Sequence, residues 1–277
     1  MPWLITLAVF WIYPFCSALY MSLTDYQPLT DTSRFIGWAN YAKAFSDPMF
    51  YKALTNTLIF SFGTVPITAT LALLLATAVN SRLVRFREFF RSTYFLPSVT
   101  SMVVIALIFS NLYSGDGYIN SLLKMLNLPY PARGWLLEPS TALLSIMGMD
   151  VWMSTGYYMV LFLAGMQTIP TDLYEAADLS GASAWQKFWR ITFPLLKPTL
   201  LFVLVINTIK SFQVFIEIYV MTKGGPMGST LTMVYMVFDN AFDKMNMMGY
   251  AAALAFIIFG ILLVLSIIQM TFIKRQD

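Results

Sequence analysis

Histidine is absent from the 277 residues, and cysteine occurs once, as Cys16. The first absence removes the commonest general base and metal ligand of enzymes. The second leaves no internal disulfide to form and no cysteine metal site to build. Charge is scarce too: Asp, Glu, Lys and Arg supply 11% of residues against 58% apolar ones, and a net charge of +3 is too small to point to nucleic acid. There is no internal repeat and no low-complexity linker, so inverted-repeat transporter architecture has no support. No G-x-x-x-x-G-K-[ST] segment occurs to cradle a phosphate, and Gly224-Gly225-Pro226 lacks both the lysine and a preceding strand. Met245, Met247 and Met248 read as interfacial filler, not as a metal site. Catalysis within the chain is therefore not expected, and neither a cofactor nor a metal is implied.

What is plentiful is apolar sequence in lengths that match a bilayer, for which about 20 residues suffice. Runs at 3–22, 54–79, 93–113, 141–166, 196–221 and 248–273 predict an all-α integral membrane protein with six transmembrane helices. The first run also has the look of a signal peptide, but it lacks a basic n-region and exceeds the usual apolar core of about 7–15 residues, so a retained helix is expected. Pro14 and Pro66 sit within spans, where a kink is tolerable if neighbours satisfy the freed carbonyl. Between spans the chain turns polar. The 25–52 loop promises one short helix near Tyr41 to Phe45, and a Gly115-Asp116-Gly117 turn precedes an amphipathic piece from Tyr118 to Leu128.

The basic residues are distributed unevenly. Arg82, Arg85, Arg87 and Arg91 crowd one short loop, the pattern of a topogenic positive-inside segment. With both termini inside, the inner segments hold nine Lys and Arg, including Lys187, Arg190, Lys197, Lys274 and Arg275, against seven spread over longer outer loops. The 169–198 stretch then lies on the inner side.

That stretch, IPTDLYEAADLSGASAWQKFWRITFPLLKP, is too polar to span and too well patterned for slack loop. Asp172 with Glu175, and Ser183 with Gln186, can each form a capping box, so two short helices are expected with a corner at Ser180-Gly181. Leu173, Tyr174, Ala176 and Ala177 line one side of the first, and Trp185, Phe188 and Trp189 one side of the second. Such a pair either fills a groove in another protein or lies amphipathically on lipid.

Three ionisable residues fall inside predicted spans: Asp150, Lys210 and Glu217. Each costs about 2.5–3.5 kcal/mol at a helix centre on insertion scales, so each should face protein or a watery cavity. Asp150, Ser154 and Tyr157 share one face of the fourth span, and Asn207, Lys210, Ser211 and Glu217 make a comparable stripe on the fifth, with Gln213 beside it. Two readings stay open here, the walls of a shared aqueous path or an Asp150–Lys210 ion pair that only fixes packing. Glu217, near the outer end, needs no special account.

Glu175-Ala176-Ala177, Gly181, Ile191 and Pro194 match the EAA-x3-G-x9-I-x-L-P motif of ABC importer permeases, with Asp178 directly after the alanines and Phe193 in place of the usual Leu. Phe35-Ile36-Gly37, Asn40-Tyr41, Asn56-Thr57, Leu96-Pro97, Thr222 to Pro226 and Ser229-Thr230 resemble the carbohydrate-uptake branch, which includes the large permease subunit of the maltose transporter. The resemblance implies the ABC transmembrane type-1 fold, with 169–198 as a cytoplasmic coupling helix pair between the fourth and fifth spans. Residues 1–51 would hold the first helix and an external loop, 52–273 the permease core, and 274–277 a cytoplasmic tail. It also implies a bacterial or archaeal cytoplasmic membrane, a second permease subunit, an ABC ATPase dimer, an external solute-binding protein and a sugar or polyol as solute. The Gly-Gly-Pro segment is then an external turn near the binding protein, or simply a tight loop. Asp150, Ser154 and Tyr157 fall where the maltose subunit has an Asn, a Gly and a Tyr that touch sugar, and Lys210 and Ser211 where it has a Phe and an Asn. Only the tyrosine is retained, which implies a path here for a different polyol or a charged sugar derivative. Ser98, after Leu96-Pro97, joins the same candidate path. A stand-alone channel or secondary transporter is the alternative, and the EAA spacing argues against it.

Overall fold

The computed structural model describes residues 2–28, 33–81, 85–243 and 247–274; Arg82, Met245 and the end of the tail from Arg275 lie outside them. Among the described residues the architecture is helical, with isolated β-bridges pairing Thr24 with Phe35 and Ser114 with Gly134.

α1 (Pro2–Ser22) stays helical through Pro14 by widening ahead of it. Proline lacks an N–H and its ring clashes with the carbonyl four residues back. A π turn at Ala8–Ile12, in which the Tyr13 N–H reaches the Ala8 carbonyl, makes the room. The same device recurs before Pro194, where Phe188–Thr192 is π-helical and the Phe193 N–H bonds to the Phe188 carbonyl.

After α2 (Ala39–Ser46), α3 (Pro48–Asn80) opens on Asp47, whose side chain accepts from the Met49 N–H, with Pro48 at the first position. Its 33 residues reach about 50 Å, well beyond the roughly 30 Å hydrocarbon core.

The 93–113 run, expected as one span, is instead two helices, α4 (Arg87–Val99) and α5 (Met102–Leu112), meeting at 93°. Pro97 closes the last turn of α4, and Thr100 and Ser101 adopt extended ψ angles of 150° and 125°. The hydroxyls of Ser98 and Thr100 donate back to the carbonyls of Phe95 and Leu96, which satisfies the helix end in place of a following turn. Counting by length and apolarity gives five spans among the described residues, or six if this bent pair is one.

α6 (Tyr118–Met125) is the expected amphipathic piece, and α7 (Ala142–Gln167) is the central helix. Its apolar window is 67% buried, whereas that of α1 is 0% buried. Both α3 and α4 pack along α7. Gly156 sets the α4 crossing: a Cβ there would sit 1.8 Å from the Tyr94 carbonyl oxygen, so only a missing side chain lets the two backbones approach. The chain then passes through α8 (Thr171–Leu179) and α9 (Ala184–Lys187) to α10 (Lys197–Phe212), α11 (Ile216–Met221), α12 (Met233–Phe238) and α13 (Met248–Lys274). One apolar cluster gathers Phe50, Phe60, Ile146, Phe212 and Leu254; a second gathers Ala76, Tyr158, Phe162, Leu196 and Val203.

Two of the sequence pairs singled out above act as staples. Asn40 Nδ2 donates to the carbonyls of Ser22 and Thr24 at 2.9 Å each, while the Tyr41 and Ser22 hydroxyls lie 2.8 Å apart, closing the loop after α1. Asn56 Nδ2 donates to the carbonyls of Gly228 and Leu231, and Thr57 Oγ1 accepts from the Met233 N–H, tying the Gly-Gly-Pro segment to α3.

Candidate functional site

The 169–198 stretch forms the two expected helices, though with different ends. α8 starts at Thr171 with Pro170 at its N-cap position and no side-chain cap, so the box expected of Asp172 and Glu175 does not form. Pro170, with φ −57°, begins the helix ahead of Asp172, which is left inside the first turn, where its charge still suits the helix dipole. The second box does form: the Gln186 N–H donates to Ser183 Oγ at 3.3 Å and the Ser183 N–H donates to Gln186 Oε1 at 2.8 Å.

Between them Gly181 takes φ +75°. Its N–H bonds to the Asp178 carbonyl and that of Ala182 to the Ala177 carbonyl, the paired pattern of a Schellman end. A Cβ on Gly181 would meet nothing within 4 Å, so within this chain the glycine is required by its dihedral and not by packing. The limbs are held together by the Lys187–Asp178 ion pair and by the Tyr174 and Thr192 hydroxyls, 2.8 Å apart. Tyr174 and Ile191 face the second apolar cluster, while Glu175, Ala176, Asp178, Leu179 and Pro194 are exposed and Ala177 is partly so. Trp185, Phe188, Trp189 and Phe193 form a run of ring contacts beyond the corner, with Trp185 exposed.

The second constellation lies where α7 and α10 meet. Asp150 Oδ1 accepts from Lys210 Nζ at 3.2 Å and from Ser154 Oγ at 3.2 Å, and Lys210 Nζ also donates to Ser154 Oγ. The pair is asymmetric: the Asp150 side chain is 4% exposed and that of Lys210 is 42% exposed. Lys210 is exposed towards a cavity of about 490 Å³, lined also by Ser98, Thr100, Ser154, Tyr157 and Tyr158. The extended Thr100 at the α4–α5 break is what brings that hydroxyl-rich corner against α7 and α10. Ser98, Ser154, Tyr157 and Lys210, separate in the sequence, thus share one space, with Asp150 behind it.

Asn207 and Ser211 do not join them. Both are buried against α3, where Asn207 Nδ2 donates to the Val65 carbonyl at 3.4 Å and the Ser211 and Thr64 hydroxyls lie 3.1 Å apart. Lys210 lies about 100° around the helix from Ser211 and points to the cavity, while Asn207 and Ser211 form a polar seam of the kind that packs spans together. The expected stripe is also cut short, because α10 ends at Phe212 and residues 213–215 are not helical. Glu217, placed by sequence near the outer end, is buried, at 5% exposure. Thr100, which lines the cavity, was missed by the sequence reading because its place depends on the bend.

Residues 48–277 match the family described as binding-protein-dependent transport system inner membrane component. The lactose transport system permease protein LacF of Rhizobium radiobacter is 36% identical over 97% of this chain and 90% of its own. The arabinooligosaccharides transport system permease protein AraP of Bacillus subtilis (strain 168) is 36% identical over 97% and 85%. A solved bacterial ABC transporter involved in the import of the acidic polysaccharide alginate contains a chain that superposes with a TM-score of 0.86 at 23% identity, over 99% of this chain and 93% of that one, which establishes the fold. With its polytopic helices, its match across the core and relatives aligned nearly end to end, the chain belongs to the family of inner membrane components of binding-protein-dependent transport systems.

Proposed function

We propose that the chain is a non-catalytic permease subunit of an ABC importer, forming half of the path for a sugar or related polyol, with ATP hydrolysis in partner subunits. The observation that carries this reading is the exposed helix pair of α8 and α9 with Gly181 at its corner, a rigid polar knob on a helical membrane body. Glu175, Ala176, Ala177, Asp178, Gly181 and Pro194 form the part that docks in a cleft of the ATPase, with Ile191 anchoring it to the second apolar cluster, so that closure of the ATPase dimer moves the knob and, through α7 and α10, the walls of the path. The Asp150–Ser154–Lys210 group, with Tyr157 and Ser98, lines that path; the lactose and arabinooligosaccharides in the relatives' names support a carbohydrate as its solute. A second, similar permease completes the path, and an external binding protein delivers the solute. The chain is a multi-pass protein of the bacterial or archaeal cytoplasmic membrane with both termini and the 169–198 knob on the cytoplasmic side.

Two measurements test this reading. In a Cys16→Ser background, a membrane-impermeant thiol reagent applied to intact cells should modify Ser46→Cys and leave Ser180→Cys untouched; both positions are exposed, and the reverse result refutes the orientation. Second, the chain alone in liposomes should show neither solute uptake nor nucleotide hydrolysis, both of which should appear with the partner subunits. Uptake by the lone chain would favour a self-contained transporter.

A further inference from the structure

Glu217 has no role in the path described above, yet its setting is unusual for a carboxylate inside a span. It lies just past the break at 213–215, is 5% exposed, and among the described residues has no lysine or arginine within ion-pair distance. Its carboxyl group stands in the first turn of α11, enclosed by the chain that restarts there. An ionisable group in a span without a counter-ion is costly and points to use by a solute or a watery route.

The space it faces is a cavity of about 500 Å³, lined also by Gln213, Lys210, Met102 and Ile206. Lys210, Met102 and Ile206 equally line the cavity beside Tyr157 and Ser98, so the two spaces meet at a common wall. Each lies in the range of small-molecule sites. The end of α10 creates the second space: the Gln213 N–H folds back on the carbonyls of Ile209 and Lys210, and the chain restarts as α11 with Glu217 in its first turn.

We propose that this second cavity is a further solute subsite, with Glu217 and Gln213 as contact residues that favour a neutral polyhydroxylated solute over an anionic one. The proposal rests on the path reading above. Lys210 has three N–H donors; two go to Asp150 and Ser154, leaving one for a solute hydroxyl. Its positive charge is paired with Asp150, and Glu217 adds to the lining an acidic group with no ion-pair partner among the described residues. When ionised, that group accepts hydrogen bonds from solute hydroxyls and repels an anionic sugar, and Gln213 adds one acceptor and two donors.

The test uses the complex assembled with its partners, in the Cys16→Ser background, with methanethiosulfonates of opposite charge. Gln213→Cys should react about tenfold or more faster with the cationic reagent than with the anionic one, and adding Glu217→Gln should remove that preference. Galactose, lactose and raffinose together should slow the reaction at Gln213→Cys, and glucuronate should not. A reactive Ser98→Cys beside an unreactive Gln213→Cys overturns the subsite and leaves the path reading standing; an unreactive Ser98→Cys overturns both. A charge preference that survives Glu217→Gln, protection by glucuronate, or no protection by the neutral sugars also overturns the proposal. Should Glu217→Gln fail to assemble, the charge preference and sugar protection at Gln213→Cys decide alone.

Discussion

Lys210→Met is expected to reduce recovery of the assembled complex in detergent far more than Asp150→Asn, and the double variant to restore assembly without restoring uptake. The asymmetry follows from burial. Asp150 is enclosed and Lys210 is half exposed to the cavity, so removing the lysine strands a carboxylate with Ser154 as its remaining partner. For a fully buried pair such a break costs about 3–5 kcal/mol. Removing the carboxylate instead leaves an ammonium that water in the cavity can reach, beside an amide that still accepts its hydrogen bond. Asp150→Asn should therefore assemble and change which solute is carried, or how well. The deciding measurements are detergent stability and uptake for the two single variants and the double one. A double variant that is stable and transports the native solute at the native rate would sink the path hypothesis and leave Asp150 and Lys210 as a packing pair.

Gly181→Leu is expected to abolish most ATP-driven uptake while leaving membrane insertion and span packing unchanged. The residue sits at φ +75°, where an L-residue with a Cβ is strained by about 1–2 kcal/mol, enough to shift the corner equilibrium by a factor of 5–30. Within the chain, the first carbon of a new side chain meets nothing, so folding of the spans has no reason to suffer. A bulky side chain projecting from the exposed corner then strikes whatever surface receives it. Gly181→Asn separates the two causes, because asparagine tolerates the left-handed conformation. If the dihedral alone matters, Gly181→Asn should keep near-normal uptake; if the receiving surface also lies close, both variants should lose it. Stimulated hydrolysis and uptake that remain normal in Gly181→Leu would contradict docking at this corner.

Elements governed by local chemistry were legible from residues alone. The Ser183–Gln186 box, the bend at Ser180-Gly181 and the long apolar runs each follow from spacing within a few residues. The Asp172–Glu175 box was misread for an equally local reason, since Pro170 sets the helix start two residues earlier than the acid suggests. The bend within the third apolar run was not legible because hydropathy measures whether a stretch is apolar and not whether it is straight. Thr100 and Ser101 are compatible with a continuous helix by composition, and the hydroxyl back-bonds that stabilise the break are visible only in three dimensions.

The candidate site divides along the same line. Helical periodicity placed Asp150, Ser154 and Tyr157 on one face, and the cost of an intramembrane charge singled out Asp150 and Lys210. Periodicity also grouped Asn207 and Ser211 with Lys210, because a stripe read along one helix carries no information about which neighbour each edge meets. That was decided by α3, which takes Asn207 and Ser211 into a polar seam and leaves Lys210 to the cavity. The sequence by itself determined that the chain is a helical membrane protein without catalytic equipment and with a polar knob between two spans, because composition, run length and capping act over a few residues. Which polar groups line a common space, the 93° bend that brings Ser98 and Thr100 to it, and the burial of Glu217 beside it were decided by the packing of α3, α5, α7, α10 and α11, contacts between residues far apart in the chain.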